Sequence, residues 1–109
     1  MHTQIVLVND PLGKLIYFPP DLCIQGEDIN EEEIYDDFKK VIESPACIIE
    51  MQDSRKFYFR ALGWNLNILV EVVLQGDNWV AINCIKNPDT DYISTLLKNG
   101  KFIPGSSLD

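Results

Sequence analysis

One amphipathic helix constrains the fold of this chain more than any other sequence feature. Its apolar residues recur at the spacing that places side chains on a single helix face: Ile34, Phe38, Val41 and Ile42. Asn30 is suited to cap the first turn, Glu33 completes a capping-box pattern, and Ser44-Pro45 ends the helix. A helix with one apolar stripe must bury it against another layer, so the rest of the chain is expected to supply that layer.

Short apolar runs separated by turn residues predict that this layer is a β-sheet. Before the helix, residues 5–8 and 15–18 flank a turn-rich segment and predict a β-hairpin that ends at Pro19-Pro20. After the helix, four runs are joined by short connections: residues 46–51, 56–62, 66–75 and 79–85. Short connections favour antiparallel neighbours and therefore a four-stranded meander.

A second helix is predicted after the meander. Asn87 is suited to cap it, Pro88 to occupy its first turn and Gly100 to end it. Its predicted buried residues are Tyr92, Ile93, Leu96 and Leu97. The element order is then β-β-α-β-β-β-β-α, an α+β fold in which a curved antiparallel sheet is packed by one long helix.

Length and hydropathy indicate one domain without a membrane segment. The chain has 109 residues, the usual size of one domain, which we assign to residues 1–103, with a flexible tail at residues 104–109. The longest apolar run, residues 68–74, is interrupted by Glu71 and is too short to span a bilayer. The N-terminus has no secretory-signal pattern, so a cytoplasmic location is expected.

The charge of the chain favours some partners over others. Seventeen acidic and nine basic residues give a net charge of −8, which argues against binding nucleic acid through its phosphates. It suits a partner protein with a basic surface, although acidity can also simply keep a small protein soluble. The candidate partner-binding residues are Glu32, Asp36 and Asp37 on the acidic first helix, together with Trp64 in a turn. A solvated helix face is the alternative interpretation of that acidic segment.

Several kinds of chemistry are disfavoured by what the sequence contains. The only histidine is His2, and the three cysteines have no close spacing. The glycines stand singly at turns, unlike those of a nucleotide-binding loop. The acidic segment at residues 27–37 lacks the spacing of a calcium-binding loop. We therefore expect no metal site and no cofactor.

One strand carries the best candidates for catalysis. Lys56, Tyr58 and Arg60 alternate along the predicted strand and should project from the same face. Such a trio could hold a phosphate and supply a general acid. Glu71 and Asn83 lie on neighbouring strands and could approach this face, although the sequence does not fix the strand register. The alternative is the ordinary solvated face of an amphipathic strand.

The order of these elements resembles a known superfamily. The segments that carry the resemblance are Val41-Ile42-Glu43-Ser44-Pro45, Ile48-Ile49, Phe57-Tyr58-Phe59-Arg60, Leu69-Val70-Glu71-Val72-Val73 and Trp79-Val80-Ala81-Ile82. Together they look like the barnase/RelE-like small nucleases of phages, toxins and mobile elements. Members of that superfamily usually carry a histidine motif at or before the first long helix, whereas residues 22–28 of this chain contain no histidine.

Two functional hypotheses follow. The first is a non-catalytic binding protein of immunity, antitoxin or regulatory type on a RelE-like fold, which presents its acidic helix to a basic partner. The second, implied by the resemblance, is an endoribonuclease whose catalytic residues would be Lys56, Tyr58, Arg60 and Glu71. The net charge and the missing histidine favour the first hypothesis.

Overall fold

The protein is an α+β fold in which a strongly curled, mixed sheet is accompanied by two helices. The computed structural model describes residues 6–27, 29–63 and 65–105, without the side chains of Val6, Glu31 and Glu32. Its elements, in chain order, are β1 (Val6–Asn9), β2 (Leu15–Phe18), β3 (Cys23–Gln25), α1 (Glu31–Glu43), β4 (Cys47–Glu50), β5 (Arg55–Gly63), β6 (Leu66–Gln75), β7 (Asn78–Lys86), α2 (Thr90–Asn99) and β8 (Lys101–Pro104).

All of these strands belong to one sheet, with the order β1-β2-β7-β6-β5-β4-β8 and with β3 also paired to β7. The register confirms the predicted N-terminal hairpin and the antiparallel meander from β4 to β7. The prediction of a purely antiparallel sheet is wrong, because β2 and β3 both run parallel to β7. These two strands share one side of β7: β2 pairs with its first half and β3 with its second half.

The helix α1 covers one face of the sheet. The predicted stripe is confirmed, because Ile34 is 4% exposed and Phe38, Val41 and Ile42 are completely buried. The Phe38 ring stacks on Phe18 with its centroid 6.0 Å away. The predicted cap is also present, since the backbone N–H of Glu33 donates to Asn30 Oδ1 at 3.3 Å. Burial of this stripe therefore joins the N-terminal hairpin to the meander in one core.

The helix α2 packs on the opposite face with a smaller contact. Leu96 is buried there with Phe57 and Leu69, and Ile93 packs against this cluster. The prediction that Tyr92 and Leu97 are also buried is wrong, because they are 38% and 43% exposed. The apolar stripe of α2 is wider than the part of the sheet that it covers.

The two ends of α2 also differ from the predicted ones. The N-cap is Asp89 rather than Asn87, whose backbone has a φ of 52° and is bonded to Asn67. Gly100 follows the helix with a φ of −116° rather than in the left-handed conformation. It is required for another reason, because a Cβ atom there would lie 2.5 Å from Ile49 Cγ2.

One further prediction about the sheet is corrected. The sequence predicts a flexible tail from Pro104 onward, but the first two residues of that segment belong to the sheet. Pro104 pairs with Cys47 in β8, and the N–H of Gly105 donates to the Ala46 carbonyl. Residues 106–109 lie outside the described part of the chain. The strand β7, which carries Trp79, lies in the interior of the sheet. In the described ranges, neither helix is long and apolar enough to cross a bilayer.

Candidate functional site

The acidic side chains of α1 that the structure describes lie at least partly at the surface. Glu33 and Asp36 are exposed and Asp37 is half-buried. In residues 6–27, 29–63 and 65–105, the ion pairs within 4.0 Å all involve Arg55, so these three carboxylates pair with no cation of the described chain. The side chain of Glu32 and the whole of Trp64, both predicted to bind a partner, lie outside the described residues.

Tyr58 is not available at a surface, because it is a core residue beneath α1. Its side chain is fully buried, and its hydroxyl donates a hydrogen bond of 2.6 Å to Asp10 Oδ2. The Asp10 carboxylate also accepts from the backbone N–H groups of Leu12 and Lys14, which closes the turn between β1 and β2. Burial, and then the bond to Asp10, raise the pKa of Tyr58, so the hydroxyl remains a protonated donor at neutral pH.

The two basic residues beside Tyr58 are also occupied within the protein. Lys56 is 8% exposed, and its ammonium lies 4.6 Å from the centre of the Trp79 ring, in a cation–π contact. Arg60 Nη1 donates to the Ser44 carbonyl at 2.7 Å, at the C-terminal end of α1. The trio shares one sheet face, as predicted, but its polar groups make separate contacts and form no common phosphate site.

Glu71 lies on the other face of the sheet. The register places it opposite Phe57, which packs under α2, whereas Tyr58 packs under α1. The expectation that Glu71 or Asn83 would line one hollow with Tyr58 is therefore wrong. The sequence could not give this outcome, because the face of Glu71 depends on the pairing between β5 and β6.

A β-bulge in β7 brings Asn83 to Glu71. Val72 pairs with Ala81, and Glu71 pairs with Asn83, so Ile82 is an extra residue in the strand. An extra residue reverses the alternation of side chains beyond it, which turns Asn83 towards the α2 side of the sheet. There the Asn83 amide donates to Glu71 Oε1 at 2.6 Å.

Glu71 is the fixed centre of a polar group at the start of α2. It is 8% exposed, and its second oxygen, Oε2, accepts from Arg55 Nη1 at 3.3 Å. Arg55 in turn is paired with Asp53 through its Nε atom, at 2.9 Å. The carboxylate of Glu71 is thus held in one orientation by donors from β5 and β7.

This group borders a cleft of about 370 Å³ between the sheet and α2. The cleft is lined by Gln25, Glu71, Asn83, Ile85, Pro88, Asp89 and Tyr92. Asp89 is exposed, and its side chain makes no capping bond to α2. Burial and the charge of Glu71 raise the pKa of the Tyr92 hydroxyl, whereas Arg55 lowers it. The cleft therefore offers two carboxylates, two side-chain amides and a protonated hydroxyl.

Sequence reasoning identified only part of this cleft. The sequence predicts Glu71 and Asn83 near the Tyr58 face, and it carries no signal that Gln25, Asp89 and Tyr92 share a site with them. Gln25 is placed by β3, a short strand that is not among the predicted elements, and Tyr92 borders the cleft because it is 38% exposed rather than buried.

The described residues hold no group of three or more histidine, cysteine or acidic side chains arranged to bind a metal ion. Comparisons of the chain with models of protein families, with curated proteins and with solved structures gave no match.

Proposed function

We propose that this chain is a non-catalytic binding protein, of immunity, antitoxin or regulatory type, that presents the acidic N-terminal half of α1 to a protein with a basic surface. One observation carries the proposal. Glu33, Asp36 and Asp37 pair with no cation among the described residues, whereas Tyr58, Lys56 and Arg60 are each engaged inside the protein.

The distribution of charge along α1 supports a defined docking orientation. Acidic residues occupy its first two turns, whereas Lys39, Lys40 and Arg60 outnumber Glu43 at its C-terminal end, which is therefore net positive. A basic surface would be attracted to one end of the helix and repelled from the other. Such a field steers encounters over about 8 Å at physiological ionic strength and raises association rates more than it raises affinity.

Ribonuclease activity is the alternative, and the geometry supports it less well. A Tyr58 hydroxyl acting as an acid would have to leave Asp10 and emerge from beneath α1. RNA would also have to approach a chain with a net charge of −8. The barnase/RelE-like resemblance stays a prediction, because no comparison bears on it.

The proposal is tested by capture from a lysate of the native host. Three immobilised proteins are compared by quantitative mass spectrometry: the wild type, an Asp36→Lys/Asp37→Lys variant and an Asp21→Lys/Asp77→Lys variant. The two variants change the net charge equally, but Asp21 and Asp77 are exposed residues in turns outside α1. We expect a basic protein that is enriched by the wild type and by the loop variant and is lost from the α1 variant.

Two results would oppose the proposal. Equal losses in both variants would mean that total charge, and not the α1 face, attracts the captured protein. Cleavage of RNA by the purified chain, abolished by Tyr58→Phe without unfolding, would favour the ribonuclease instead.

A further inference from the structure

We infer that the cleft between α2 and the sheet binds a guanidinium or ammonium group on an alkyl stem, as presented by an arginine or lysine side chain. The inference goes beyond the proposed function, because the cleft lies on the sheet face opposite to the one that α1 covers and is a separate site for a basic side chain. It is carried by a fixed buried carboxylate, a second open carboxylate and an apolar wall that meet in one cleft.

The buried end of the cleft is formed by a carboxylate that specific hydrogen bonds hold in place. Glu71 is more than nine-tenths buried and is held at both oxygens, by Asn83 at 2.6 Å and by Arg55 at 3.3 Å. Asn83 reaches it only because Ile82 is bulged out of the ladder. A bulge that redirects one polar side chain onto a buried carboxylate is the kind of local irregularity that strands carry beside binding sites.

The charge of the cleft selects a cation. Arg55 is shared between Asp53 and Glu71, so these three groups together keep one net negative charge. Asp89 adds a second at the mouth, where its side chain makes no bond to the helix that it caps. An anion would gain from the N–H groups at the start of α2 but would be repelled by Asp89 at the same place. A donor-rich cation gains from Asp89 and from the remaining lone pairs of Glu71, against repulsion from the Arg55 that already pairs with Glu71.

The walls suit the stem of a long basic side chain. Ile85 and Pro88 are half-buried and apolar, and the Tyr92 ring is 38% exposed beside them. The Tyr92 ring is held edge-on against Phe57, with centroids 6.3 Å apart. Arginine and lysine lay their methylene groups on apolar surface while the charged end reaches polar partners, and arginine also stacks on aromatic faces.

The test uses small probes and needs no partner protein. The ¹⁵N-labelled full chain is titrated with N-acetyl-arginine methylamide, with the lysine equivalent, with N-acetyl-citrulline methylamide and with inorganic phosphate. Citrulline has the shape of arginine without its charge. We expect the two cationic probes to shift the side-chain amide signals of Gln25 and Asn83 saturably, and the citrulline probe to bind at least about 5-fold more weakly.

Matched variants locate the binding. Asp89→Asn should weaken binding of the arginine probe on the order of 5-fold, whereas Asp77→Asn, at the tip of the β6–β7 hairpin, should leave it unchanged. The absence of saturable shifts, equal binding of citrulline, or stronger binding of phosphate at the same signals would each overturn the inference.

The outcome is separable from that of the α1 experiment. The Asp36→Lys/Asp37→Lys variant should bind the arginine probe as the wild type does, because both substitutions lie on the helix that covers the other sheet face. With intact probe binding, a wild type that captures no basic protein, or an α1 variant that captures it as well as the wild type, contradicts only the docking role of α1. Lost probe binding in the wild type contradicts only the cleft.

Discussion

Removal of the Tyr58 hydroxyl should destabilise the fold. The hydroxyl donates 2.6 Å to Asp10 Oδ2, and the two residues are 0% and 5% exposed. In Tyr58→Phe, Asp10 Oδ1 keeps its backbone donors at Leu12 and Lys14, but Oδ2 loses its hydroxyl donor. Hydrogen bonds to charged groups contribute about 1.5–3 kcal/mol, so the free energy of unfolding should fall by about 2 kcal/mol.

Urea unfolding at neutral pH, followed by tryptophan fluorescence and circular dichroism, measures this difference. Tyr17→Phe is the matched control, because Tyr17 is half-buried on β2 and makes no side-chain hydrogen bond with any residue that the structure describes. That control should lie within about 0.5 kcal/mol of the wild type. If Tyr58→Phe were equally stable, the hydroxyl would not be a structural donor and the reasoning would be refuted.

The same bond fixes the sign of a pH dependence. Burial, followed by the bond to and charge of Asp10, raises the pKa of Tyr58 above its ordinary value of 10.0. The folded chain then keeps a proton that the unfolded chain releases, so this contribution is complete below about pH 10 and declines as the pH rises further. The stability difference between wild type and Tyr58→Phe should therefore be constant near neutral pH and shrink above pH 10. A difference that grows above pH 10 would contradict the assignment.

Three further substitutions test the packing. Phe38→Ala should lower the free energy of unfolding by about 3–5 kcal/mol, because the ring is completely buried. The control Phe102→Ala should cost far less, because Phe102 is 52% exposed. Equal urea midpoints for the two variants would refute the orientation of α1. Gly100→Ala should cost about 1–3 kcal/mol by thermal unfolding, since its Cβ would press on Ile49, and an unchanged melting temperature would argue against that close approach. Asn30→Ala should cost about 1 kcal/mol by removing the α1 cap, and no loss in urea unfolding would show that the cap is dispensable.

The parts of the fold that local sequence determines were predicted. The spacing of Phe38 and its neighbours fixes the buried face of α1, and the cap at Asn30 fixes its start. The short connection predicted between residues 75 and 79 is a two-residue turn between β6 and β7, in which Gly76 has a φ of 63°. These features depend on residues a few positions apart, so periodicity and turn chemistry are sufficient to find them.

The missed features depend on pairing between distant segments. The strands β3 and β8 have only three and four residues and are positioned by pairing with β7 and β4. The bulge at Ile82 reverses the face of Asn83, and no local pattern in the strand marks it. Tyr92 lines the cleft rather than the core, because α2 covers only part of the sheet face on which it packs. The candidate cleft could therefore not be assembled without the register.

The central claim is that α1 docks a basic protein. Its most direct test is the association rate of the captured protein with the immobilised chain, measured at low and at physiological salt. For the wild type and for Asp21→Lys/Asp77→Lys, we predict a rate that falls steeply as salt increases. For Asp36→Lys/Asp37→Lys, the rate should be roughly tenfold lower at low salt, with unchanged stability. An association rate that is the same in the α1 variant and the wild type would contradict the claim.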